Sequence, residues 1–228
     1  MTNIMTNIKS RLLKTLGIMF GLFAVFAVST ASVFAAADAY PTKPVRIIVP
    51  TAPGGSSDII ARMIATKLSE RLGKSAFVDN RGGGGSVIGT EMVAKADPDG
   101  YTLLTINPTH TTQPGLQKLP YDPVKSFTPI AKLGSGLLGL VVHPSVPANS
   151  VKELIALAKQ KPGQLPFASA GTGSLVHMVT ELFKMMTDID FKIVQFKGAG
   201  PAVVDLLGGH SHAMVGTLAS IITHINSG

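Results

Sequence analysis

The chain has 228 residues, with 20 lysines and arginines against 13 aspartates and glutamates, a net charge of +7, and no cysteine. The lack of cysteine excludes disulfides and a lipid-bearing cysteine, so stability has to come from an ordinary core. The mild positive excess suits attraction to small anions, and no Lys/Arg cluster points to nucleic acid.

In chain order, Lys9, Arg11 and Lys14 form a basic stretch with no acidic residue before Asp38. Uncharged, apolar residues 16–28 follow, and then the small residues Ser29, Thr30, Ala31 and Ser32. Ala35-Ala36-Ala37 and Ala37-Asp38-Ala39 both fit a small-x-small cleavage site, so residues 1–37 read as a secretory signal peptide. A membrane anchor is the alternative, but spanning a bilayer takes about 20 apolar residues and this run is shorter. The Met-Thr-Asn-Ile repeat leaves Met1 or Met5 as the start. Export would place a 191-residue mature chain of charge +4 in the periplasm, free in solution.

Short β-branched runs then alternate with amphipathic stretches. Residues 45–49 read as a strand ended by Pro50, and the loop Thr51 to Ser57 leads to a helix starting near Asp58. Its apolar face is expected to hold Ile60, Met63, Ile64 and Leu68, with Gly73 as the stop. Residues 76–78 make a short strand, Gly82 to Gly85 a loop without regular structure, and 87–95 a helix. The turn Asp97-Pro98-Asp99-Gly100 precedes a buried strand over 101–106. Beyond a Pro-rich connection, 137–142 is a strand, and Ser150-Val151-Lys152-Glu153 is a capping box opening a helix to about Gln160. Residues 167–169 are a strand, and the helix after Ser174 should bury Leu175, Met178, Val179, Leu182 and Met186. Strand 192–196, helix 201–207, strand 213–216 and helix 218–226 complete the pattern, an α/β fold with mainly parallel sheets.

Two strand-to-helix junctions share a composition: Pro53-Gly54-Gly55-Ser56-Ser57-Asp58 and Ala170-Gly171-Thr172-Gly173-Ser174. Glycine lets a ligand approach the backbone, and the following helix offers unpaired N–H groups and a positive dipole end. Such junctions hold anions without a charged side chain, and in open α/β sheets they lie where ligands bind. A tight, self-capped turn is the plainer alternative for either loop alone. Gly134-Ser135-Gly136-Leu137-Leu138-Gly139 matches a dinucleotide pattern, but a strand follows where that motif needs a helix. His210-Ser211-His212 reads as a solvated turn rather than a metal site. Ser174 and His177 invite a nucleophile–base reading, yet no carboxylate nearby in sequence orients the histidine. Asp58 reads as a first-turn dipole partner, and Lys197 as a strand-end residue able to face a cleft.

Tyr40 to Pro50, Ala52-Pro53-Gly54-Gly55 with Asp58, Asn80-Arg81, Pro98 to Leu104, and Leu119 to Val124 resemble the Bug-type receptors of tripartite tricarboxylate transporters. The likeness continues in order through Ser150 to Leu154, Ala168 to Gly171, Gly173-Ser174, His177, Lys197-Gly198, Pro201-Ala202 and Asp205-Leu206. The resemblance implies a two-lobed Venus-flytrap protein, lobes 38–140 and 141–228, that binds a small carboxylate. It implies a monomer without enzymatic activity, cofactor or metal, whose partners are the transporter's membrane subunits. The ligand site carried over comprises Thr51, Ala52, Gly54, Gly55, Ser56 and Asp58; Asn107, Thr109 and His110; Ser169, Ala170, Gly171, Thr172, Gly173, Ser174 and His177; and Lys197, Gly198 and Pro201.

Three departures stand out. Gly82 replaces the family's proline after Asn-Arg, and His212 replaces an aspartate after the second Gly-Gly turn. Family members also continue past the position of Gly228 with a strand completing the second lobe and a segment returning to the first. The sequence thus reads as truncated, incomplete at the C-terminus, with an exposed sheet edge and uncovered apolar faces to be expected. A non-binding remnant and a hydrolase using Ser174 and His177 are the competing functional readings.

Overall fold

β-Branched runs and glycine-punctuated helices sort into two sheets in the computed structural model, which describes residues 40–227. The signal-peptide reading over 1–37 and both cleavage sites lie outside the described residues. The first sheet is β1 (Val45–Val49), β2 (Ala76–Asn80) and β3 (Thr102–Leu104), in the order β2-β1-β3 and parallel throughout. Its helices are α1 (Ser56–Leu72) and α2 (Val87–Ala94), and the short α3 (Thr109–Thr112) follows, running into a 3-10 turn at Gln113–Gly115. The second sheet runs β4-β7-β5-β6 from β4 (Leu138–Val142), β5 (Phe167–Ser169), β6 (Ile193–Gln195) and β7 (Ala213–Thr217). β5 is parallel to β6 and β7, whereas β4 is antiparallel to β7. All five residues of β4 pair with β7, so the second sheet takes in residues on both sides of the lobe boundary expected at 140/141. Helices α4 (Val151–Gln160), α5 (Leu175–Thr187), α6 (Ala199–Leu207) and α7 (Leu218–Ser227) complete it.

Because side chains alternate across a strand, β5 serves two cores. Phe167 stacks on Phe191 with centroids 3.8 Å apart and joins Leu154, Ala158 and Ile189 on one side. Ala168 faces Ala202, Val203, Leu206, Met214 and Ile221 on the other. In the first sheet, Ile47 and Val49 pack on Ala61 and Ala65 of α1.

Two helix faces differ from the pattern expected. α1 buries Ser57, Asp58, Ala61 and Ala65, and Met63 is 66% exposed. Small residues let this helix sit close to its sheet, which outweighs the larger apolar stripe. α5 turns Val176 and Thr180 inward, with Phe183 against the phenylalanine cluster, and leaves Met178, Leu182 and Met186 exposed. Thr180 tolerates burial because its hydroxyl donates to the Val176 carbonyl at 2.7 Å.

Smaller differences follow the same logic. Gly84–Ser86 forms a 3-10 turn inside the glycine run, with Gly84 and Gly85 at φ 56° and 63°. The strand expected over 101–106 is confined to Thr102–Leu104 and only half buried. In the capping box, Ser150 Oγ accepts from the Glu153 N–H at 3.2 Å, but the Glu153 carboxylate takes the N–H of Asn149, at 2.7 Å. The His210–His212 turn is solvated at His210, but Ser211 is buried and its hydroxyl donates to Asp205.

Candidate ligand-binding cleft

Every parallel strand delivers its carboxyl-end residues to one cavity of about 560 Å³, the place where open α/β sheets bind ligands. Thr51 follows β1, Gly83 to Gly85 follow β2, and Asn107 follows β3. From the second sheet come Ala170 after β5, Lys197 after β6, and Thr217 at the end of β7. Three helix starts meet there, with Gly55 to Ser57 of α1, Ser174 to Val176 of α5, and Gly198 and Ala199 of α6 in the lining. The N-caps of α1 and α6 are glycines without a side-chain cap, which leaves Ser56 and Ser57 of α1 and Ala199 of α6 at the lining as helix-start residues; Pro201, third in α6, has no N–H. Among the described residues, Lys197 is the sole charged residue in the lining, and no carboxylate joins it. Helix N-termini and a lysine without an opposing acid give the cavity a positive electrostatic character.

The loop between β5 and α5 orders its donors closely. Gly173 N–H donates to His177 Nδ1 at 3.1 Å, and Ser174 N–H to the Gly171 carbonyl at 3.0 Å. His177 N–H donates to Ser174 Oγ at 3.1 Å, the side-chain cap of α5. Gly171, Thr172, Leu175 and Val176, all in the lining, keep backbone N–H groups that no described acceptor takes up. Gly173 and Ser174 N–H are already engaged within the loop, so these four are its uncommitted donors. With Nδ1 accepting, the ring proton of His177 sits on Nε2. Glu181 Oε1 lies 3.5 Å from that nitrogen, so a carboxylate one turn on does face the histidine, contrary to the sequence reading. The Ser174 hydroxyl meets the backbone of His177 rather than its ring, and the nucleophile–base bond that hydrolysis needs is missing.

Beside the first sheet, Asn107 Nδ2 donates to Ser57 Oγ at 3.2 Å and its Oδ1 accepts from Thr109 N–H at 2.9 Å, tying three lining residues together. Asp58 sits behind the loop. Its buried carboxylate accepts from Gly54 N–H at 3.0 Å, Asn80 Nδ2 at 3.0 Å and Arg62 Nε at 3.1 Å. Burial alone raises the Asp58 pKa, but hydrogen bonds from Arg62, Gly54 and Asn80, with the Arg62 charge, hold it below 3.8. A carboxyl depressed in the folded state stabilises above its unfolded pKa, and that contribution fades as pH falls through the folded value. Asp58→Ala is therefore expected to cost about 1–3 kcal/mol at pH 7, the range for stranding buried donors. Urea melts at pH 7 and pH 3 check this: the gap between parent and variant should narrow at pH 3.

Of the residues singled out from sequence, Thr51, Gly55, Ser56, Asn107, Thr109, Ala170, Gly171, Thr172, Ser174, Lys197 and Gly198 lie in the lining. Ala52 and Gly54 form a seam with the loop between β6 and α6: Ala52 N–H donates to the Lys197 carbonyl at 3.0 Å, and Gly54 abuts Gly200. Gly173 and His177 lie behind the loop they order. Ser169 is fully buried at the end of β5, and Pro201 lines a separate hollow with Pro53 and Gly54. His110 turns away: its Nε2–H donates to the Pro123 carbonyl at 2.7 Å, and its ring packs on Tyr121 and Phe127. Sequence reasoning missed Gln113 and Gln117, whose i, i+4 spacing on a helical turn was hidden in a Pro-rich connection, along with Gly83 to Gly85.

The receptors of the tripartite tricarboxylate transporter family match residues 60–228. The chain belongs to that family. Protein BugT of Bordetella pertussis is 39% identical over 224 residues, which is 96% of this chain and 66% of BugT. Rpa4515 of R. palustris, solved with adipate, superposes with a TM-score of 0.78 at 36% identity, over 82% of this chain and 64% of that one. MatC of Rhodopseudomonas palustris, solved with malate, gives 0.74 at 28% identity over 82% and 65%. The receptor chain thus spans just under two thirds of the length of these relatives.

Proposed function

We propose that this receptor is a periplasmic solute-binding protein that captures a small carboxylate and delivers it to the membrane subunits of a tripartite tricarboxylate-type transporter, acting as a monomer without catalysis. One observation carries the reading: three helix N-termini and Lys197 converge on a cavity without an acidic lining residue among those described. The adipate and malate bound by its structural relatives are small dicarboxylates of the kind such a cavity suits. The basic, apolar and small-residue leader supports export, and two lobes, one around each sheet with all of β4 in the second, would close on the ligand between them.

Calorimetric titration of the mature chain with adipate and malate tests this, with adipamide as the neutral control. Saturable binding of a diacid and none of the diamide is the expected result. Equal binding of adipamide, or no binding of either acid, would sink it. Export is checked separately, by sequencing the N-terminus of protein recovered from the periplasm of a Gram-negative host; an intact leader there refutes cleavage.

A further inference from the structure

We infer that Gln113, with Thr112, is a positioning residue that clasps the first lobe to the ligand loop of the second. These consecutive side chains reach consecutive carbonyls across the cleft: the Thr112 hydroxyl shares its one proton between Gly173 O and, at 3.0 Å, Thr109 O of its own turn, and Gln113 Nε2 donates to Thr172 O at 3.3 Å. Gln113 is only 2% exposed, and buried amides are kept where their bonds are made. Its orientation is fixed from below, because Gln117 Nε2 donates to Gln113 Oε1 at 2.7 Å and also reaches Gly84 O at 3.3 Å. A flipped Gln113 amide would set oxygen against the Thr172 carbonyl and NH₂ against NH₂. Glycines make room for it on both sides: a Cβ on Gly85 would stand 2.4 Å from Gln113 Nε2, and one on Gly173 2.7 Å. Both adopt left-handed φ, 63° and 74°, which glycine alone takes without strain.

The consequence is directional. Holding the Thr172 and Gly173 carbonyls from the first lobe leaves the N–H groups of Gly171, Thr172, Leu175 and Val176 as the loop's groups for a ligand. The clasp thus couples lobe closure to the orientation of the anion donors. Its affinity readout rests on the function proposed above; its geometry does not.

The chain has no cysteine, so Met63→Cys on α1 and Met185→Cys on α5, 66% and 74% exposed, take spin labels cleanly. Pulsed dipolar spectroscopy of the unliganded, labelled protein should give one narrow separation. Gln113→Leu and Gln113→Glu should each add a longer population and speed adipate dissociation at least tenfold, with Gln117→Ala intermediate. Unchanged separations and unchanged dissociation in both Gln113 variants would overturn the clasp. Should those variants fail to fold, Thr112→Val, which removes one hydroxyl, has to shift the separation in the same direction, and no shift overturns the proposal. If the parent binds neither adipate nor malate, the functional reading falls, while the label separations still decide the clasp.

Discussion

Replacing Gly200 with alanine is expected to lower adipate affinity at least a hundredfold while leaving the lobes folded. A Cβ at Gly200 would lie 1.9 Å from the Pro53 carbonyl oxygen and 3.2 Å from Gly54 Cα. Non-bonded carbon contacts are comfortable only near 3.5 Å, so the loop carrying Pro53 has to retreat by more than about 1 Å. Both obstacles are backbone atoms, which cannot rotate aside as a side chain would. Within its own lobe the change is benign. Gly200 is the second residue of α6, and the nearest atoms to a Cβ there all belong to Pro53 and Gly54. The cost therefore falls on the seam between the β1–α1 and β6–α6 loops, where the bond from Ala52 N–H to Lys197 O must open. A hundredfold loss is about 2.7 kcal/mol, and it should appear in calorimetry with the melting temperature nearly unmoved. Unchanged affinity would show that this seam is open in the liganded protein.

The seam also marks where sequence stopped being informative. Alternating strands and helices, and the two Gly-Ser junctions, were legible because each follows from local chemistry: β-branched runs, capping residues and glycine at helix starts. The inward faces of α1 and α5 were not. Periodicity ranks residues by size and apolarity, whereas the close approach of α1 to its sheet selects Ala61 and Ala65, and a self-satisfied hydroxyl admits Thr180. Asp58 and His110 carried the right residue types for binding, yet their partners turn them into supports: Asp58 braces the first loop and His110 pins the Pro123 segment. Gln113 lay within the Pro-rich connection, and its importance arises from two glycine loops that are distant in the chain and meet only in the folded protein.

One of those glycines gives the sharpest test of where the ligand sits. Gly173 adopts φ 74°, and a Cβ there would stand 2.4 Å from Leu116 Cδ1 and 2.7 Å from Gln113 Nε2. Gly173→Asn suffers these collisions but tolerates the left-handed backbone better than most residues. Gly173→Asp has the same shape and adds a negative charge beside the donors of Gly171, Thr172, Leu175 and Val176. The asparagine variant should lose about tenfold in adipate affinity, through displacement of Gln113 and Leu116. The aspartate variant should lose about tenfold more, about 1.4 kcal/mol for the charge. That second step is electrostatic, so raising the salt concentration should shrink it while leaving the first intact. Titration of both variants at two ionic strengths separates steric from electrostatic loss. If aspartate and asparagine bind adipate alike, the carboxylate does not rest on this loop, and the donors at the start of α1 or α6 have to hold it instead.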